Sequence, residues 1–305
     1  MTAYARMLVF AATVVASGAV RSAAQGVPST DVYLAPISLD NYGALVIGTP
    51  VNITNRPGYD NQPSFTPDNR AILYTSTRDD GQSDIYRYDI ATKKITRVTK
   101  TAESEYSAQA MPDGKRFSVI RVERDSTQRL WSFAMNGSDP RLVIKNLKPV
   151  GYHAWIDAEN LATFVLGSPN ALVHTNLKTG KSDTLARNIG RSLSPERLPA
   201  KSAAPKDRAF TFTHRVDSVS MLAMIRLPDR KPEELVAMPR GAQDYAWVSD
   251  SLVVTSLDTK LLSWHRGAKG WTEAADFVAA GLTKVSRLAV SRDGKWLAIV
   301  AEPRP

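Results

Sequence analysis

The sequence predicts an all-β fold: a six-bladed β-propeller closed by N-terminal strands that complete the C-terminal blade. Three observations carry the prediction. A short phrase recurs at a near-constant interval, each copy reads strand, turn, strand, and residues 31–55 copy the outer half of a unit that the carboxyl end leaves incomplete. The phrase is PSFTPDNRAILYTS from Pro63, AQAMPDGKRFSVIR from Ala108, HAWIDAENLATFVL from His153, YAWVSDSLVVTSL from Tyr245 and LAVSRDGKWLAIV from Leu288. Its third residues are Phe65, Ala110, Trp155, Trp247 and Val290, spaced by 45, 45, 92 and 43. The 92 reads as two repeats with one degenerate copy between them. A period in the mid-forties with several short strands per unit is the signature of a propeller blade.

Blade one shows the template. ILYTS at 72–76 and DIYRYDI at 84–90 run apolar or alternate over strand lengths, and RDDGQS between them is turn chemistry. ATKK at 91–94 makes the next hairpin turn and ITRVT is the outer strand. The Pro-Asp-x turn at 67–69 joins the first strand to the second, because proline presets φ and the aspartate can bond its own downstream backbone. Blade two repeats this with MPDGK, RLWSFAM and DPRLVI, and blade three with LVHTNLKTGKSDTLA. The degenerate fourth copy has DRAFTFTHR at 207–215 as its second strand, and its inner strand is expected near 198–204. Blade five follows from Asp244. After Val290 two strands remain, and DVYLAPI at 31–37 with VNIT at 51–54 supply the missing pair. Closing the ring in this way removes the exposed edges of an open stack. The expected blades are 61–100, 106–147, 151–188, 192–240, 243–280, and 284–305 completed by 31–55.

The amino terminus reads as a leader. Arg6, the apolar stretch at 7–16 and the small residues Ser22 and Ala24 are the parts of a secretory signal peptide, so residues 1–24 are expected to be cut after Ala24. The apolar stretch is shorter than the roughly 20 residues that a membrane span needs. Export to the periplasm or beyond is the expected location, with residues 25–305 as one propeller domain. Without the leader the formal charge falls from +9 to +7, because Arg6 and Arg21 leave with it. The chain has no cysteine, so no disulfide staples it and the apolar core must hold it together. A positive balance suits anionic envelope polymers. The cations are scattered and form no dense cluster, so nucleic acid is not an expected partner. No transmembrane segment is expected, and the chain is expected to be a monomer.

The pattern F-T-P-D-x-x-x-I-L-Y-x-S followed by D-I-Y resembles the TolB-like, WD-related propeller repeat. The match is clearest over 63–99, good over 108–144 and recognisable in SRDGKWLAIV at 291–300, while blades three to five depart from it. The resemblance implies a six-bladed, exported protein that binds rather than catalyses, here without the additional amino-terminal domain of TolB.

Chemistry motifs are missing. The nearest approach to a nucleophile elbow is GRSLS at 190–194, which lacks the final glycine. No HExxH, P-loop or dinucleotide fingerprint is present. Of the histidines, His174, His214 and His265 fall on outer strands, and His153 alone cannot hold a metal that needs three or four ligands. No catalytic residue, metal or cofactor is expected. Trp155 and Trp247 occupy the repeat position of Phe65 and are assigned to packing between blades.

Topology supplies the sharper candidates, since the loops that lead into the innermost strands gather at one end of the central channel. Those residues are Asp60, Gln62, Glu105, Tyr106, Tyr152, His153, Arg191, Arg197, Asp244 and Tyr245, with Lys284 as the position from blade six. Together they make a candidate site for an unidentified protein or envelope-polymer partner. The alternative is that they solvate the channel and bond neighbouring loops. A hydrolase or polysaccharide lyase working in the same funnel is the second functional reading, since acids beside Tyr and His can do acid–base work.

Overall fold

The computed structural model describes residues 29–78, 80–195 and 208–303, so the leader and Arg197 lie outside the described residues. The described chain is built from strands and turns. First come β1 (Asp31–Leu39), β2 (Leu45–Ile47) and β3 (Val51–Asn52). Blade one is β4 (Asp60–Phe65), β5 (Ala71–Thr77), β6 (Ser83–Asp89) and β7 (Ile95–Arg97). Blade two is β8 (Ser104–Ala110), β9 (Arg116–Val122), β10 (Gln128–Ala134) and β11 (Arg141–Leu142). Blade three is β12 (Val150–Trp155), β13 (Asn160–Val165), β14 (Ala171–Asn176) and β15 (Lys181–Arg187). Blade four is β16 (Ile189–Pro195), β17 (Ala209–Val216), β18 (Val219–Arg226) and β19 (Pro232–Ala237). Blade five is β20 (Tyr245–Trp247), β21 (Leu252–Leu257), β22 (Lys260–His265) and β23 (Thr272–Asp276). Blade six joins β24 (Leu282–Val290) and β25 (Trp296–Pro303) to β1, β2 and β3.

Ring closure follows the sequence expectation. β25 pairs antiparallel with β1, placing Val32 opposite Val300 and Ala35 opposite Leu297. The amino-terminal strands also reproduce the hydrogen bonds of a complete blade. Thr99 Oγ1 accepts from the Ile85 amide at 2.8 Å and donates to Asp84, while Thr54 Oγ1 accepts from the Val32 amide at 3.0 Å and donates to Asp31. The outer strand of blade six is split, with β2 and β3 both pairing β1 on either side of residues 48–50. Pro50 lies in that gap and has no amide hydrogen to donate.

The inner strand of blade four corrects the expectation. It is Ile189–Pro195, ahead of the 198–204 stretch, which lies outside the described residues. The turn motif that marks the other inner strands is missing here. Gly190 marks the site instead, because a Cβ there would stand 2.0 Å from Thr213 Oγ1. Where the turn motif is present it works as predicted. Thr66 Oγ1 donates to Asp68 Oδ1 at 2.6 Å and accepts from the Ala71 amide, and Ser291 with Asp293 repeats the arrangement. Its last residue takes positive φ, +66° at Gly114 and +70° at Gly294, which glycine adopts without steric cost.

Six apolar clusters hold the ring, one at each junction between neighbouring blades. Tyr74, Ile72 and Val300 fill the junction of blades six and one, and Leu73, Phe117 and Phe133 that of one and two. Trp155 packs with Leu130 between two and three, and Phe210 and Phe212 with Leu172 between three and four. Trp247 packs with Leu222 between four and five, and Leu261 with Leu297 between five and six. Each fully buried side chain of this size contributes about 1.5–3 kcal/mol by leaving water.

Candidate functional site

Bulges aim the channel residues. In β4 the register slips between Asn61 and Ser64, in β8 between Tyr106 and Gln109, in β12 between Val150 and Tyr152, in β16 between Ile189 and Leu193, and in β24 between Thr283 and Arg287. A bulge bends its strand and re-aims a side chain. The irregular segments carry Gln62, Ser107, Tyr152, Arg191 and Arg287, and Asp244 stands just ahead of β20. All six line a central cavity of about 920 Å³, which runs from their level to the turns at Pro67, Pro112, Asp157, Asp250 and Asp293.

A charged knot lies within this lining. Arg191 donates from Nη2 to Asp244 Oδ2 at 2.6 Å and from Nε to the same oxygen at 3.2 Å. Arg287 stands 3.8 Å from the other Asp244 oxygen. Its Nη2 donates to the Tyr152 hydroxyl at 2.9 Å, and its guanidinium lies 5.1 Å from the centre of that ring. Blades three and six are opposite one another in the ring, so this hydrogen bond spans the channel. Two guanidiniums against one carboxylate leave an excess of one positive charge. Burial pushes the Tyr59 hydroxyl up to about 12, with the nearby Arg287 and Arg191 working against that rise.

The sequence-predicted residues separate into two groups. Gln62, Tyr152, Arg191 and Asp244 meet at the channel. The others that the structure describes sit between blades or at the buried start of a strand. Asp60 is buried beside Arg56 Nη1 at 3.2 Å, and Glu105 is buried between Arg121 Nε at 3.1 Å and Thr101 Oγ1 at 2.5 Å. Burial raises both carboxyls above their ordinary pKa, with these partners opposing the rise. Tyr106 packs on the core between blades two and three.

His153 and Tyr245 border the channel through their strands while their side chains are buried. His153 Nε2 shares a 2.6 Å bond with Ser118 Oγ, which also accepts from Trp155 Nε1 at 2.8 Å. Tyr245 repeats the device one blade pair later: its hydroxyl and Trp247 Nε1 both donate to Thr211 Oγ1 at 2.9 Å. Burial lowers the His153 pKa to about 3, so the ring is neutral at physiological pH.

The sequence reading missed Arg287 and chose Lys284 for blade six, yet a signal was present. Gln62, Ser107, Tyr152, Asp244 and Arg287 each stand three residues ahead of the repeat anchors Phe65, Ala110, Trp155, Trp247 and Val290. Lys284 instead pairs with Glu302 at 2.9 Å. Among the described residues, no three of His, Cys, Asp and Glu come together as a metal ion would require.

Residues 44–148 match the family described as the TolB beta propeller domain. Solved structures extend the likeness in fold. A protein assigned as TolB from Agrobacterium tumefaciens aligns at 16% identity and a TM-score of 0.67, over 90% of this chain and 99% of that one. TolB from Acinetobacter baumannii aligns at 20% identity and 0.51, over 68% of this chain and 51% of that one, so the match spans about half of that protein. An oligogalacturonate lyase solved in complex with manganese aligns at 13% identity and 0.52, over 88% of this chain and 82% of that one. At such identities the likeness is one of fold alone, and the described residues do not supply a manganese site. The repeats and the closed ring make this chain a six-bladed β-propeller, and residues 44–148 of it are similar to the TolB beta propeller domain.

Proposed function

We propose that this protein is an exported, non-enzymatic binding scaffold that receives an anionic segment of a protein or envelope polymer in its central channel. The observation that carries the reading is the knot of Arg191, Asp244 and Arg287, in which two cations share one carboxylate. A carboxylate on an incoming ligand would satisfy the spare guanidinium capacity, and paired hydrogen bonds to arginine are strong and directional. The leader-like residues 1–24 support delivery to the envelope.

The test uses mature protein, mild crosslinking and native envelope extract, comparing wild type with Arg191→Gln combined with Arg287→Gln. Capture of a partner that the double variant loses is the expected result. Equal capture by both proteins would remove the channel from the reading. Turnover of acidic oligosaccharides by the purified protein would replace the scaffold with the alternative, a funnel-site lyase or hydrolase.

A further inference from the structure

Five of the six blades end in an outer strand that carries charge. Arg97 lies on β7, Arg141 on β11, Lys181, Asp183 and Arg187 on β15, Glu233 and Glu234 on β19, and Glu273 and Asp276 on β23. Charges on an edge discourage another strand from pairing with it. Blade six lacks that protection. Residues 41–55 contain no charged side chain, and they include both β2 and β3.

The same edge exposes apolar side chains. Tyr42 is 95% exposed, Val51 60%, Val46 49% and Leu39 45%, and these are four of the eight large apolar side chains exposed among the described residues. Leu45 and Ile47 turn inward onto the apolar core between blades five and six, and Val46 between them turns outward. Tyr42 is held at the tip of the β1–β2 hairpin by Asp40, whose Oδ1 accepts from the Tyr42 and Ala44 amides at 2.8 Å each. An exposed tyrosine beside an unpaired neutral edge is the composition of an interface.

We infer that this edge is a homodimer interface, in which β2 of one copy pairs antiparallel with β2 of a second. Charge bears on the occupant. Four of the other five edges, β7, β11, β19 and β23, carry charge of one sign, so pairing one with its own copy about a twofold axis would bring like charges near each other, and β15 carries three charged side chains. Here none meet, although the chain carries +9 overall. An antiparallel edge is self-complementary in its donors and acceptors, and the twofold brings the two copies of Val46 side by side. Pro50 stops the ladder beyond residue 48, so the contact is short and the dimer is weak. This differs from the monomer expected from the sequence.

Sedimentation equilibrium of the mature protein from about 1 to 100 µM tests this, the range suiting an interface at the small end of the specific class. Wild type is expected to pass from monomer to dimer across the range. Val46→Lys and, separately, Tyr42→Asp should weaken the dimer at least about tenfold by placing charge at the contact. Val219→Lys, at an exposed apolar position on blade four, should leave it unchanged. Tyr42 is almost fully exposed, so its variant is expected to fold like the parent, and thermal melting checks this. A wild-type monomer at 100 µM overturns the inference, as does a dimer indifferent to both charge variants. A monomer that captures a different envelope protein through Val46 also overturns it and gives the edge to that partner.

Discussion

The two halves of the channel wall use one repeat position for opposite purposes. In blades one to three the residues three ahead of the anchor are Gln62, Ser107 and Tyr152, all uncharged. Gln62 is spent on adhesion: its Oε1 accepts from Thr75 Oγ1 at 2.9 Å and from the Ser107 amide at 2.8 Å, tying blade one to blade two. In blades five and six the position holds Asp244 and Arg287, with Arg191 beside them from blade four. That half presents charge to the cavity. The ring can thus dedicate one side of its channel to holding neighbours together and the other to a ligand without changing the backbone plan. The comparison predicts that substitutions in the adhesive set cost stability, whereas those in the charged set cost binding.

The largest effect is expected at Thr211, whose hydroxyl is the shared acceptor for Tyr245 and Trp247 between blades four and five. Thr211→Val keeps the shape and leaves two buried donors without that acceptor. Each such loss costs about 1–3 kcal/mol, so denaturant unfolding should show a loss of roughly 2–6 kcal/mol. Ser118→Ala tests the matching device between blades two and three and should lose a similar amount. A change below about 0.5 kcal/mol in both would show that the shared hydroxyls are incidental to the junctions.

These junctions also explain what could be read from sequence and what could not. Blade number, turns and closure were legible because strand alternation and turn chemistry are local, and Val32 duly pairs with Val300. The site was only partly legible. Arg287 and Tyr152 are 135 residues apart and meet only because the ring brings opposite blades together. His153 and Tyr245 were grouped with the channel residues although strand parity separates them. Each stands two residues ahead of a tryptophan anchor and shares its buried face, whereas Tyr152 and Asp244 stand three ahead. Bulges then decide which residue of each loop enters the channel, and no local sequence signal announced them. The fourth inner strand was misplaced because it lacks the Pro-Asp turn on which the reading depended.

A pH series sharpens the comparison at intermediate magnitude. Burial lowers the His153 pKa to about 3, against about 6.5 in the unfolded chain. Its contribution to stability is therefore complete above 6.5 and is lost as pH falls toward 3, with a limiting slope of about 1.4 kcal/mol per pH unit. Asp60 and Glu105 act in the other direction, since burial raises their pKa and acidification relieves the buried charge. The difference between proteins isolates the histidine. From pH 6.5 to 5, wild type should lose about 1.5–2 kcal/mol more than His153→Gln. Parallel pH profiles would mean that His153 is protonated in the folded state.

The smallest stability change is expected at Arg191, and that smallness is the point of the contrast. Arg191 is about a third exposed and Asp244 keeps Arg287 at 3.8 Å, so Arg191→Gln removes one partner without stranding the carboxylate. Partly exposed ion pairs contribute about 0–1 kcal/mol, and the melting temperature should move by no more than a few degrees. Arg287 is different in degree: its guanidinium reaches Asp244, the face of Tyr152 and the Tyr152 hydroxyl across the channel. Arg287→Gln should therefore cost more stability than Arg191→Gln, yet less than Thr211→Val. A charged half built for a ligand should lose binding at both arginines while the ring stays folded. If Arg191→Gln instead unfolds the protein as readily as Thr211→Val, the Arg191–Asp244 pair is a strut between blades four and five, and both halves of the channel wall serve adhesion.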